Sequence, residues 1–119
     1  MDRFRAETFL PLTPVAFEIL LALADGERHG YSILQEVESR TGGSVSLHAG
    51  TLYRALARLL ESALIEELDA PPDRADDDGR RRYYRLSDRG VAVARAEAAR
   101  LESQVAAART RRLLRGARA

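Results

Sequence analysis

The chain has 119 residues, 19 basic against 18 acidic, with a hydrophobic fraction of 45% and a charged fraction of 31%. That is enough for one globular domain, and the charge is too high for a membrane-embedded chain. With no cysteine, disulfides, thiolate metal sites and cysteine nucleophiles are excluded. His29 and His48 are the only imidazoles, and no carboxylate spacing around them suits a catalytic metal, so no metal, cofactor or catalytic residue is expected.

The formal net charge of +1 conceals a split. Residues 1–79 carry 7 Arg and 15 acids, whereas residues 80–119 carry 12 Arg and 3 acids. Lys is absent, and Arg offers a planar fork suited to carboxylates, phosphates and guanine edges. Abundant Ala, Arg and Gly without Lys or Asn also mark codon bias, so Arg usage alone does not argue for nucleic acid. The first apolar run, residues 19–24, is far too short to span a bilayer, and no signal-peptide pattern is present. A cytoplasmic protein without a membrane partner is expected.

In chain order, Thr13 is placed to cap a helix that starts with Pro14 and stays strongly apolar to about Ala24, where Asp25-Gly26 ends it. A second helix is predicted over about residues 29–41, stopped by Gly42-Gly43. A turn or extended segment at 44–47 leads to a third helix over roughly 48–62. There Leu52, Leu56, Leu59 and Leu60 fall on one side, and Gly50, Thr51, Arg54, Ala57, Arg58 and Glu61 on the other, with Tyr53 on the flank. Two short strands follow, 64–68 and 82–86, joined by a long loop with two prolines, three consecutive aspartates and Gly79. Tyr83 and Tyr84 alternate along the second strand, so one is expected inside and the other outside. Ser87 then caps a long final helix.

Three short helices followed by a β-hairpin are the parts of a winged helix-turn-helix, mainly α with a small hairpin, here extended by a long C-terminal helix. In that arrangement the third helix enters the major groove and the wing reaches the flanking backbone. The front of the third helix needs small and polar residues so that its backbone approaches base edges, and Gly50, Thr51, Arg54, Ala57 and Arg58 meet that need. An ordinary solvated helix face carries similar residues; the ordered set of elements favours DNA.

His29-Gly30-Tyr31, Gly50-Thr51-Leu52-Tyr53-Arg54-Ala55-Leu56, Arg58-Leu59, Leu64-Ile65 and Arg81-Arg82-Tyr83-Tyr84-Arg85-Leu86-Ser87 together resemble the PadR family of bacterial transcriptional regulators. The resemblance runs from about Leu12 to Gly90, and the overall length is similar to the short subgroup with one C-terminal dimerisation helix. It implies a homodimeric repressor on an inverted-repeat operator, released by a small molecule or stress signal. Some relatives hold flat aromatic compounds between tryptophans at the dimer centre; this chain has no Trp.

The candidate DNA contacts are Tyr31, His48, Thr51, Tyr53, Arg54, Arg58, Arg80, Arg81 and Arg82. Arg54 and Arg58 are expected in the groove, and Tyr53 on a phosphate through its hydroxyl. Tyr31 either packs in the core or reaches a phosphate, His48 either donates to a phosphate or frays, and Thr51 either touches a base or caps locally. His29 and Gly30 read as an inter-helix turn. Asp73, Asp76, Asp77 and Asp78 would repel phosphates at the wing tip, so the arginines at the wing base are expected to grip the backbone; the alternative is a loop whose charges pair among themselves.

Val91, Ala94, Ala98, Leu101, Val105 and Ala108 are spaced 3, 4, 3, 4, 3, a heptad seam for dimerisation. Alanine at half the positions buries little, so an N-terminal arm with Phe4, Phe9, Leu10 and Leu12 is expected to assist, from the opposite subunit; the alternative is packing of the helix on its own domain. The chain thus divides into a winged domain with its arm, 1–87, and a dimerisation helix with a basic tail, 88–119. Arg109, Arg111, Arg112, Arg115 and Arg118 of the tail read as a solvated helix end complementing the helix dipole; the alternatives are a second DNA-contacting tail and attraction to an anionic membrane surface. From a different class, the acidic first 79 residues favour a winged module that docks a protein without operator binding.

Overall fold

The computed structural model describes residues 3–45, 47–69 and 82–115. A 3₁₀ turn (Ala6–Phe9) precedes α1 (Pro14–Leu23), β1 (Arg28–His29), α2 (Gly30–Thr41), α3 (Ala49–Glu61), β2 (Ile65–Leu68), β3 (Tyr83–Leu86) and α4 (Asp88–Thr110). This is the expected winged helix-turn-helix with its long C-terminal helix. Among the described residues, no helix is long and apolar enough to cross a membrane.

Side-chain caps set the starts of three helices. Thr13 Oγ1 accepts from the Ala16 N–H at 3.1 Å, His29 Nδ1 from the Ser32 N–H at 3.1 Å, and Ser87 Oγ from the Gly90 N–H at 3.0 Å. Ile19 and Leu20 of α1, Ile33 and Val37 of α2, and Leu52, Leu56 and Leu59 of α3 form the core with Leu64, Ile65, Tyr84 and Val93. Each such side chain contributes roughly 1.5–3 kcal/mol of burial. The crossing of α1 and α2 is fixed at its rim by Arg40, which pairs with Glu36 at 2.9 Å and with Glu18. At the other end Arg28 donates to the Ala22 carbonyl at 2.7 Å and to Ser32 Oγ at 2.9 Å.

The sheet departs from a two-stranded hairpin. Its order is β1-β3-β2, both pairings antiparallel, because Arg28 and His29 align with Tyr84 and Tyr83. This places β3 in the middle and corrects the expected tyrosine alternation: Tyr83 and Tyr84 are both buried. They still point to opposite faces, but each face is covered. Tyr84 joins the core, and Tyr83 meets the His29 ring edge-on, centroids 5.4 Å apart.

The end of α3, the wing and α4 converge at one point. Ala63 adopts a left-handed conformation (φ 61°), and the Leu64 N–H closes α3 on the Leu59 carbonyl at 2.9 Å. Ser87 Oγ then donates to the Ala63 carbonyl at 2.7 Å, and the Ser87 N–H to that of Leu64 at 3.1 Å. Gly90 sits so close that a Cβ there would lie 2.0 Å from the Leu64 oxygen.

Beyond that point α4 packs on its own domain through Gly90, Val93 and Glu97, with Ala94 against the core edge. The N-terminal arm, expected to serve across a dimer, lies on α4 of its own chain: Phe4, Phe9, Leu10 and Leu12 are half-buried there. Phe4 stacks near Phe9, centroids 5.9 Å apart, and under the Arg89 guanidinium at 4.8 Å. The arm is pinned by Glu97, only 2% exposed, which accepts from the Leu12 N–H at 3.0 Å and from Arg100 at 2.6 and 3.0 Å. Arg100, then the Leu12 N–H, hold the Glu97 carboxyl below its ordinary range against the opposing pull of burial.

Gly90→Ala is therefore expected to lower stability by about 3 kcal/mol and Tm by about 10 °C, because a backbone carbonyl cannot yield to the new methyl; calorimetry checks this. For Glu97 the depressed pKa means stabilisation that is full above the ordinary carboxylate range and lost as pH falls from that range through the lower folded-state value. Glu97→Gln keeps an acceptor for Leu12 but not the charge. Its stability is expected to depend less on pH than the wild type's below about pH 4, as measured by urea unfolding at successive pH values.

Candidate nucleic-acid interface

The front of α3 is presented as its sequence pattern demands. Leu52, Leu56 and Leu59 are buried and hold the helix to the core, while Gly50, Arg54, Ala57, Arg58 and Glu61 are exposed. Arg54 runs back over Gly50, its Nη1 lying 3.5 Å from where a Cβ on that glycine would be. Thr51 is half-buried and turns towards α1. With Thr13, Val15, Ala16, Arg54, Ala55, Arg58 and Leu59, it lines a groove of about 230 Å³.

The charges of the winged-helix region sort into two classes. Arg28 pairs with Asp25 at 3.6 Å, Arg40 with Glu18 and Glu36, Arg82 with Glu67, and Arg85 with Glu66 at 2.8 Å. Among the described residues, Arg54 and Arg58 have no carboxylate within ion-pair distance. Arg82 and Arg85 thus pair across the sheet with the β2 glutamates, and these pairs are exposed and of small net value. Arg80, Arg81 and the four wing-tip aspartates lie outside the described residues.

The two sequence motifs meet through Gly30 and Tyr53. A Cβ on Gly30 would lie 2.6 Å from Tyr53 Oη and 3.1 Å from Cζ, so the absent side chain at the start of α2 is the seat for the tyrosine ring. Tyr53 as a whole remains 53% exposed, with its hydroxyl end against Gly30. His29, the residue before Gly30, caps α2 and packs on Tyr83. Tyr31 is not a core residue: it is 59% exposed. His48 stands at the N-cap of α3 without making a side-chain cap and lines a cleft with Tyr31.

Among the proposed dimerisation residues, Val91, Ala94, Leu101 and Ala108 are half-buried within the single chain, while Ala98 and Val105 are exposed. The stripe that packs on the domain, Gly90, Val93 and Glu97, lies beside this seam, which is left half-covered, with Ala98 and Val105 exposed. Sequence reasoning missed Glu97 and the seating role of Gly30. The first had a signal, an acid sharing a helical stripe with Gly90 and Val93; the second had none, because Gly30 and Tyr53 come together only in three dimensions.

The profile of the transcriptional regulator PadR-like family matches residues 19–96, from the core of α1 into α4. An uncharacterised protein X of Lysinibacillus sphaericus is 36% identical over 74 residues, covering 62% of this chain; the match spans 65% of that relative, a little under two-thirds of its length. Among solved structures, a transcriptional regulator from Clostridium thermocellum has a TM-score of 0.66 at 25% identity, covering 81% of this chain and 90% of that one. A PadR family transcription regulator from Clostridium difficile shares the fold with a TM-score of 0.70 at 24% identity, covering 82% and 97%. With the family profile extending over helices, sheet and the start of α4, this chain belongs to the PadR-like family of transcriptional regulators.

Proposed function

We propose that the chain is a sequence-specific DNA-binding regulator, a cytoplasmic homodimeric repressor of an inverted-repeat operator that a small molecule releases. The observation that carries this reading is the pair Arg54 and Arg58, exposed on the front of α3 and, among the described residues, without carboxylate partners, whereas Arg28, Arg40, Arg82 and Arg85 are each paired with an acid. Two unpaired guanidinium groups one helical turn apart suit base edges and phosphates in a major groove. In this reading Thr51 adds a base contact, and Tyr31, His48 and Tyr53 supply backbone contacts from the adjoining corner. Arg80, Arg81 and Arg82 grip the flanking backbone from the wing base; the exposed Arg82–Glu67 pair exchanges readily for a phosphate.

Residues 1–87 act as the reading unit, and residues 88–119 as the dimerisation helix with its basic tail. The seam Val91, Ala94, Ala98, Leu101, Val105 and Ala108 supports a second copy, because α4 runs past its own domain with Val105 39% exposed. Phe9 and Leu10, already seated on α4, widen that apolar surface. Two copies so joined meet half-sites one helical turn apart, roughly 34 Å.

A mobility-shift assay with DNA upstream of the chain's own gene, at two salt concentrations, tests the reading. Arg54→Ala and Arg58→Ala are each expected to weaken operator binding about tenfold or more. Arg80→Ala with Arg81→Ala is expected to weaken operator and random DNA alike, flattening the salt slope by roughly 1 to 2 units. No binding at either salt concentration would favour the protein-docking module instead. Sedimentation is expected to give a dimer at micromolar concentration, and a monomer there would sink the symmetric operator.

A further inference from the structure

We propose that the cleft between α2 and the α2–α3 loop binds an organic cation, an amine carried on an apolar or aromatic body. The cleft follows from helix geometry. Gly30, Ile33 and Val37 bury one face of α2. Tyr31, Leu34, Gln35 and Glu38, at spacings of 3, 1 and 3, form a stripe on another face that neither α1 nor α3 covers. The left-handed pair Gly42 (φ 62°) and Gly43 (φ 85°) then reverses the chain. Val45 and Leu47 return against the stripe, and His48 closes the end. The volume of this open cleft is about 380 Å³, within the range of small-ligand pockets.

The lining specifies the ligand's charge and shape. Leu34, Val45 and Leu47 are half-buried and make an apolar floor continuous with the core. Glu38 is the one acid in the lining, and no Arg is there to neutralise it. The nearby Arg40 is held by Glu36 and Glu18, and among the described residues Glu38 has no ion-pair partner. A carboxylate beside an apolar floor repels an anion and pairs with an ammonium group. Tyr31 adds an exposed ring face for the same charge, and the Gln35 amide oxygen adds an acceptor. This site is separate from the α4 seam and from the front of α3; it shares Tyr31 and His48 with the proposed phosphate contacts, but neither its lining nor its test depends on the DNA-binding reading.

The test uses three probes with one body and three charges: protonated 2-phenylethylamine, 2-phenylethanol and 3-phenylpropanoate, titrated into the full chain and followed by methyl and amide NMR. The amine is expected to shift the Leu34, Val45 and Leu47 methyls and the His48 amide, with a Kd of roughly millimolar or tighter for so small a ligand. The alcohol is expected to bind about tenfold more weakly and the carboxylate more weakly still. Glu38→Gln, at an exposed position whose spectrum elsewhere reports an intact fold, is expected to reduce the amine to the alcohol's affinity. Tyr31→Ala is expected to weaken the amine a few-fold and Tyr31→Phe to leave it bound. Equal affinity for the three probes, shifts centred away from the cleft, or an unchanged amine affinity in Glu38→Gln would each overturn the proposal.

Discussion

The close approach of Gly90 to the Leu64 carbonyl is the constraint on which the rest of the molecule depends. Within a few residues of it, α3 ends, β2 begins, β3 ends and α4 begins. Ser87 ties these together by accepting from the Gly90 N–H while donating to the carbonyls of Ala63 and Leu64. Backbone groups cannot move aside as flexible side chains do, so the direction of α4 is set relative to α3 and to the wing. In the proposed dimer, that junction makes the spacing of the two α3 helices a property of the fold rather than of a linker. The Glu97 hydrogen bonds to Leu12 and Arg100 add a second attachment, so the N-terminal arm braces the same helix.

Electrostatics divides the arginines by role. Arg28 and Arg40 fasten α1 to α2, and Arg82 and Arg85 bridge to Glu67 and Glu66 across the wing. Their charge is balanced locally, and their value lies in geometry. Among the described residues, Arg54 and Arg58 have no carboxylate within ion-pair distance. An overall charge near zero is compatible with a positively charged reading face, because screening limits distant acids to little effect beyond a Debye length.

Several residues of the family motifs prove to serve the scaffold. His29 caps α2 and packs on Tyr83, Gly30 makes room for Tyr53, and Tyr83 and Tyr84 both lie inside because β3 is the central strand. The surface of the α2–α3 corner is then left to Tyr31, His48 and Tyr53. The pairing of the two motifs at their particular separation has a steric basis, a ring from one resting on the missing side chain of the other.

Local chemistry was enough to read most of the elements from the sequence. Thr13, Pro14 and Ser87 mark helix starts through capping, and the leucine stripe of α3 separates its buried from its presented face. The order of three helices and a hairpin limits the architecture. The heptad spacing of α4 was legible too, but which stripe packs in cis was not, since the 3.6-residue period places Gly90, Val93 and Glu97 close beside the seam. The strand at Arg28–His29, the burial of both tyrosines, the seating of Tyr53 on Gly30 and the sorting of arginines into paired and unpaired were settled only by the fold. Each depends on groups far apart in the chain, and neither periodicity nor propensity carries information about such meetings. The sequence by itself determined which faces are apolar and where helices begin; the tertiary structure decided which charges are cancelled and which are left to meet a partner, because cancellation requires two side chains to arrive at the same place.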